Sequence, residues 1–167
     1  FNLAIQYHQK NNLNEAKKIY LQILKINPNY VNAHNNLGAA YKQLGEIEKA
    51  KSCFEKVIQL NPNDVDGHNN LGLLLFELKE IQKAKSFFEK TIQLNPNYVE
   101  AHNNLGTIFN ELKEFQKAKN CYERAIQLNP NYVEAHNNLG TIFKEIKEFQ
   151  KAKDCYERAI QLNPNYA

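Results

Sequence analysis

The chain has 167 residues, 43% apolar and 23% charged, a balance that supports a buried core and excludes a disordered tail. Its densest apolar stretch, Leu71 to Phe76, is six residues long and contains a Gly, far short of the ~18 a membrane-spanning helix needs. Lys and Arg exceed Asp and Glu by 21 to 18, too small a surplus for a nucleic-acid binder unless the basic residues gather on one face. Three Cys cannot complete a disulfide framework, so a reducing, cytoplasmic compartment is expected.

All five prolines sit in the same context, from Asn27-Pro28-Asn29 to Asn163-Pro164-Asn165, and the interval is 34 each time. A fixed period of this size marks a repeat array. The units are 1–30 (N-terminally incomplete), 31–64, 65–98, 99–132 and 133–166, with Ala167 opening another. Within unit 31–64, Leu37, Tyr41 and Leu44, then Ile47, Ala50, Phe54, Val57 and Ile58, recur at helical spacing. Each unit is therefore two helices. In chain order, first helices are predicted near 1–10, 33–44, 67–78, 101–112 and 135–146, and second helices near 14–27, 48–60, 82–94, 116–128 and 150–162. Gly45 can end a first helix at positive φ. Asn11, Lys79, Lys113 and Lys147 stand at the same place with a weaker stop signal. Pro28 and its equivalents end the second helices, and the Asn that follows each Pro is expected to cap the next helix.

With these elements in place, the chain resembles the tetratricopeptide repeat family. In unit 31–64 the matching residues are Leu37, Gly38, Tyr41, Gly45, Ala50, Phe54 and Pro62, and the pattern recurs in all five units. Gly38, Gly72, Gly106 and Gly140 (Ala4 in the first unit) are expected to face Ala50, Ala84, Ala118 and Ala152 (Ala16) where paired helices approach closely. The chain departs from the family in carrying His34, His68, His102 and His136 at a frequently aromatic position, and Ile23, Val57 and Thr91 where Ala is common. The resemblance implies an all-α fold: a right-handed superhelical solenoid of helix-turn-helix repeats, first helices lining its concave side.

No catalytic constellation emerges. The periodic His cannot share one ion: metal–ligand distances are ~2 Å, whereas stacked helices stand roughly 8–10 Å apart. Cys53, Cys121 and Cys155 share a position with Ile19 and Phe87 and read as small buried hydrophobes. Ser52 and Ser86 have no activating neighbour. No phosphate loop or HExxH pattern is present. The chain is therefore expected to be no enzyme and to need no cofactor or metal. Lys49, Lys51 and Lys56 alternate with Glu46 and Glu55 in a mixed-sign solvated face, which argues against nucleic acid as a partner.

The polar side of the first helices is where a partner is expected. Glu100, Asn104, Thr107 and Glu111 advance by four, three and four residues along one stripe away from Leu105 and Phe109. Asn2, Asn36, Asn70, Asn104 and Asn138 form an unbroken column, and Asn35, Asn69, Asn103 and Asn137 a second. A carboxamide offers the donor and acceptor that a peptide bond also offers, so such a column can hold an extended backbone whatever its sequence. With repeats ~10 Å apart and a strand rising ~3.3 Å per residue, one rung meets roughly every third ligand residue. The variable residues Lys42, Phe76, Asn110 and Lys144 are expected to set preference. The column is similar to that of the repeat domains of O-linked N-acetylglucosamine transferase and kinesin light chains. The expected function is a protein-interaction scaffold that binds a protein or peptide segment in its groove, with no membrane partner. Two alternatives are the substrate-selecting array of a glycosyltransferase and a self-assembling structural array. Cys155, Tyr156, Ala159 and Ile160 are expected to lack the cover a further repeat would give, which suggests end-to-end self-association.

Overall fold

The computed structural model describes residues 1–165; Tyr166 and Ala167, where the sequence opens a further repeat, lie outside the described residues. These form ten α-helices: α1 (Asn2–Gln9), α2 (Leu13–Ile26), α3 (Val31–Gln43), α4 (Ile47–Leu60), α5 (Val65–Glu77), α6 (Ile81–Leu94), α7 (Val99–Glu111), α8 (Phe115–Leu128), α9 (Val133–Glu145) and α10 (Phe149–Leu162). The chain divides into two compact units, Phe1–Phe87 and Phe88–Ala167, with the boundary inside α6. In the first, α1 pairs with α2 and α3 with α4; α2 packs on α3, α4 on α5, and α3 touches α5. In the second, α7 pairs with α8 and α9 with α10, α8 packs on α9, and α7 touches α9.

From α3 onward the first helices begin about two residues earlier than their apolar spacing predicts, and the cap is the residue that follows the expected Asn. The N-cap positions are Tyr30, Asp64, Tyr98 and Tyr132, and of these only Asp64 caps with its side chain, accepting from Gly67 N–H at 2.8 Å. The Asn before each Pro does the local work instead. Asn27 Oδ1 accepts from Asn29 N–H at 3.2 Å, and Asn61, Asn95, Asn129 and Asn163 repeat this Asx turn. Each repeat His then reaches back over that turn. His34, His68, His102 and His136 place Nε2 2.8–2.9 Å from the carbonyl oxygens of Pro28, Pro62, Pro96 and Pro130.

The hairpin turn is the same whether or not Gly occupies it. Gly45 has φ +74°, and Asn11, Lys79, Lys113 and Lys147 take φ of +57° to +64°. Around Gly45, Glu46 N–H donates to Tyr41 O at 2.8 Å and Gly45 N–H to Lys42 O at 3.0 Å, the paired bonds of a Schellman stop. The Lys residues adopt the left-handed conformation at a cost of roughly 1–2 kcal/mol each, offset by the same two carbonyls being satisfied.

In the hairpins of Gly38, Gly106 and Gly140 the nearest neighbour of the small residue is a ring on the second helix. A Cβ on Gly38 would lie 2.6 Å from the Phe54 ring, and one on Gly106 would lie 2.7 Å from the Tyr122 ring. Ala50 and Ala118 are buried as well, but the close approach at these glycines belongs to the aromatic residue four positions further along the second helix. The departure at Val57 is compensated. Gly67 stands where other repeats have Ala, and a Cβ there would come within 2.5 Å of Val57 Cγ1. The lost methyl makes room for the branched side chain.

Candidate functional site

The polar column begins on α1 with Asn2, which is exposed, and continues on α3 and α5 with the half-buried Asn36 and Asn70. The second column is not equally open: Asn35 and Asn137 are half-buried, whereas Asn69 and Asn103 are buried. A link spanning 35 residues joins the columns. Asn70 Nδ2 donates to Asn35 Oδ1 at 2.8 Å, and in the second unit Asn138 Nδ2 donates to Asn103 Oδ1 at 3.0 Å. This bond fixes the flip of the outer amide, leaving its Oδ1 and one N–H for other partners. In the first unit Asn32, Asn35, Asn36, Asp66 and Phe1 line a polar depression of about 230 Å³. Asn32 and Asp66 were not singled out from sequence in this unit, although they occupy the repeat position of Glu100, which was.

The variable residues are placed unevenly. Lys42 is held by Glu77 at 2.7 Å, so its charge is partly neutralised by the neighbouring first helix. Phe76 is half-buried with Lys79 Nζ 5.5 Å from its ring centroid. Asn110 is half-buried and Lys144 exposed. Thr107 does not belong to the outward stripe. Its hydroxyl donates to Asn103 O at 3.2 Å and accepts from Tyr122 OH at 3.2 Å, which ties it to the second helix of its own hairpin. Thr141 and Tyr156 OH repeat the contact at 3.3 Å.

The opposite, second-helix side carries ion pairs between repeats. Glu46 receives Lys17 at 2.7 Å and Lys49 at 2.6 Å, and hydrogen bonds from Lys17 and then Lys49 hold its carboxyl below the usual range. Burial pushes the thiols of Cys53 and Cys121 up to about 11, which keeps both protonated and poorly nucleophilic at neutral pH. Cys53 is buried and Cys121 and Cys155 half-buried, so the expectation of uniformly buried Cys holds only for the first. Among the described residues, no three His, Cys, Asp or Glu side chains converge as a metal site would require, and no helix is long and apolar enough to cross a membrane.

The pattern for the tetratricopeptide repeat matches residues 31–64, 65–98, 99–132 and 133–166, and a second TPR pattern matches residues 6–45. The chain belongs to the tetratricopeptide repeat family. Solved structures share this TPR fold. The crystal structure of MamA is 24% identical with a TM-score of 0.81, over 98% of this chain and 96% of that one. Pseudomonas aeruginosa PilF is 24% identical with a TM-score of 0.90, over 97% and 74%. YrrB, described as a TPR protein with an unusual peptide-binding site, is 22% identical with a TM-score of 0.73, over 99% and 85%. No curated protein matches the chain significantly.

Proposed function

We propose that this TPR chain is a protein-interaction scaffold whose Asn-bearing first-helix face holds an extended polypeptide segment. The observation that carries this reading is the amide link. Asn35 and Asn103 spend an acceptor on the next repeat's Asn, which orients Asn70 and Asn138 rather than leaving them to turn freely in solvent. An oriented carboxamide loses little rotamer entropy on meeting a peptide bond, so each rung contributes more than a mobile one would. The polar depression beside Asn36 supports the same use, since the main chain of an extended ligand is itself polar. Asn36, Asn70, Asn104 and Asn138 are then the contacting amides and Asn35, Asn69, Asn103 and Asn137 their supports. Lys42, Phe76, Asn110 and Lys144 set preference at the edge. The peptide site described for YrrB shows only that a protein of this fold can serve such a purpose.

The test is a peptide selected on the wild-type chain from a random displayed library, then titrated by fluorescence anisotropy against the variant carrying Asn36→Ala, Asn70→Ala, Asn104→Ala and Asn138→Ala. Affinity is expected to fall by at least tenfold with helicity unchanged. Undiminished binding removes the column from the mechanism.

A further inference from the structure

The depression on the first-helix face of the first unit has a charge as well as a shape. Its walls are Asn32, Asn35 and Asn36 on α3, Asp66 on α5, and Phe1, around a volume of about 230 Å³. Asp66 carries the one ionised side chain among them. Lys42 on the same face stands 2.7 Å from Glu77 and is already matched. The helix dipole favours an acid in any first turn, but α5 has Asp64 as its cap, accepting from Gly67 N–H at 2.8 Å, so capping does not require Asp66. Asp66 stands four residues before Asn70, one turn along the stripe that carries the column amide.

The arrangement recurs in the second unit. Two repeats on, the counterparts of Asn32, Asn35, Asn36 and Asp66 are Glu100, Asn103, Asn104 and Glu134. They lie on α7 and α9, which touch as α3 and α5 do. Here the first Asn has become a second carboxylate. The ion pairs of this unit join Lys117 to Glu114, Lys119 to Glu123, Lys151 to Glu148 and Lys153 to Glu157, all on second helices or the turns before them. Glu100 and Glu134 take part in none of these.

We infer that these two places are subsites for a basic side chain, Lys or Arg, of the extended segment held by the Asn column; the inference rests on that reading and names the kind of segment. An ammonium carries three donors and a guanidinium five, and neither has an acceptor. Each subsite offers carboxylate oxygens beside carboxamide oxygens, which accept, and no side-chain cation lines the depression to repel a basic group. An acidic segment meets the same carboxylates as like charges. The preference opposes that of the chain's net charge of +3, which by itself attracts acidic peptides. That opposition separates the subsites from unspecific attraction.

The probe is the peptide Thr-Lys-Thr-Lys-Thr-Lys, acetylated and amidated, with matched peptides carrying Gln or Glu in place of Lys. Each is titrated against the full chain, acetylated at Phe1 so that no terminal charge borders the depression, while the backbone amide resonances of positions 36 and 104 are followed. Affinity is expected to fall in the order Lys, Gln, Glu, with about fivefold between Lys and Gln at low ionic strength. Combined Asp66→Asn, Glu100→Gln and Glu134→Gln is expected to bring the Lys peptide level with the Gln peptide at unchanged helicity. Glu55→Gln, Glu123→Gln and Glu157→Gln, which remove the same charge from the second helices, are expected to leave the preference intact. Equal affinity of the Lys and Gln peptides for the wild-type chain overturns the proposal and leaves the groove reading standing. So does a preference that survives the first set of substitutions, or one that the second-helix set abolishes as well. Absence of saturable shifts with the Lys peptide overturns it outright. The groove reading itself fails on a separate result, undiminished affinity of the Gln peptide for the chain with Asn36, Asn70, Asn104 and Asn138 replaced by Ala.

Discussion

Repeats 99–132 and 133–166 differ only at Asn110/Lys144, Leu112/Ile146 and Asn120/Asp154, yet their second helices are buried differently. Tyr122 on α8 is 1% exposed, whereas Tyr156 on α10 is half-buried; Phe149 is 65% exposed and Ile160 55%, whereas their counterparts Phe115 and Ile126 are half-buried. Ala125 and Ala159 are buried in both. Residues that close the hairpin are covered by their own repeat. Residues on the outer stripe are covered only when the next hairpin packs against them, as α9 does on α8. Stability in this array is therefore a property of neighbours as much as of sequence.

The largest expected effect breaks the comparison directly. Tyr122→Ala is predicted to cost about 3–5 kcal/mol, as for a fully buried aromatic, and Tyr156→Ala less than half as much; equal losses in urea titrations would contradict the neighbour argument. Gly106→Ala is next. A methyl 2.7 Å from the Tyr122 ring must displace a ring with nowhere to go, for roughly 1–3 kcal/mol. Gly140→Ala meets Tyr156 at 2.8 Å, but that ring can swing toward solvent, so the gain in helix propensity should cancel most of the cost.

A pH series sharpens the same contrast. Burial pushes the Tyr122 hydroxyl up to about 12 from an ordinary value of 10.0, and Cys53 and Cys121 up to about 11 from 9.0. A raised acid pKa means that the unfolded chain loses its proton first. The stability these groups contribute is whole below pH 9 and is lost as pH rises through the folded values toward 12. Melting temperature should fall across that window, and Tyr122→Phe with Cys53→Ala and Cys121→Ala should flatten the fall. The smallest effect compares the first repeat with the fourth. Tyr20 OH is buried with no partner among the described residues, where Tyr122 OH has Thr107, because the Thr position is Ile5. Tyr20→Phe should be neutral or stabilising by up to ~1 kcal/mol, and Tyr122→Phe destabilising by about the same.

The candidate site was legible in part. Column membership of Asn36 and Asn70 follows from the period, but the bond from Asn70 to Asn35 joins one repeat to the next, and no local pattern reveals it. Thr107 was misread because its angular position suits either face, and only the Tyr122 hydroxyl decides which it serves. The turn at Lys79 looked weaker than that at Gly45, yet the two share one geometry, because the flanking helices impose the left-handed residue on whichever side chain is there.

By itself the sequence determined that the chain is an all-α array of paired helices, since a 34-residue period with helical spacing and Asn-Pro punctuation acts locally. Tertiary structure alone decided which amides are buried and which half-buried, and why one of two near-identical helices is covered. Those outcomes depend on side chains a repeat or more apart coming into contact, and contact is a property of packed surfaces rather than of any one segment.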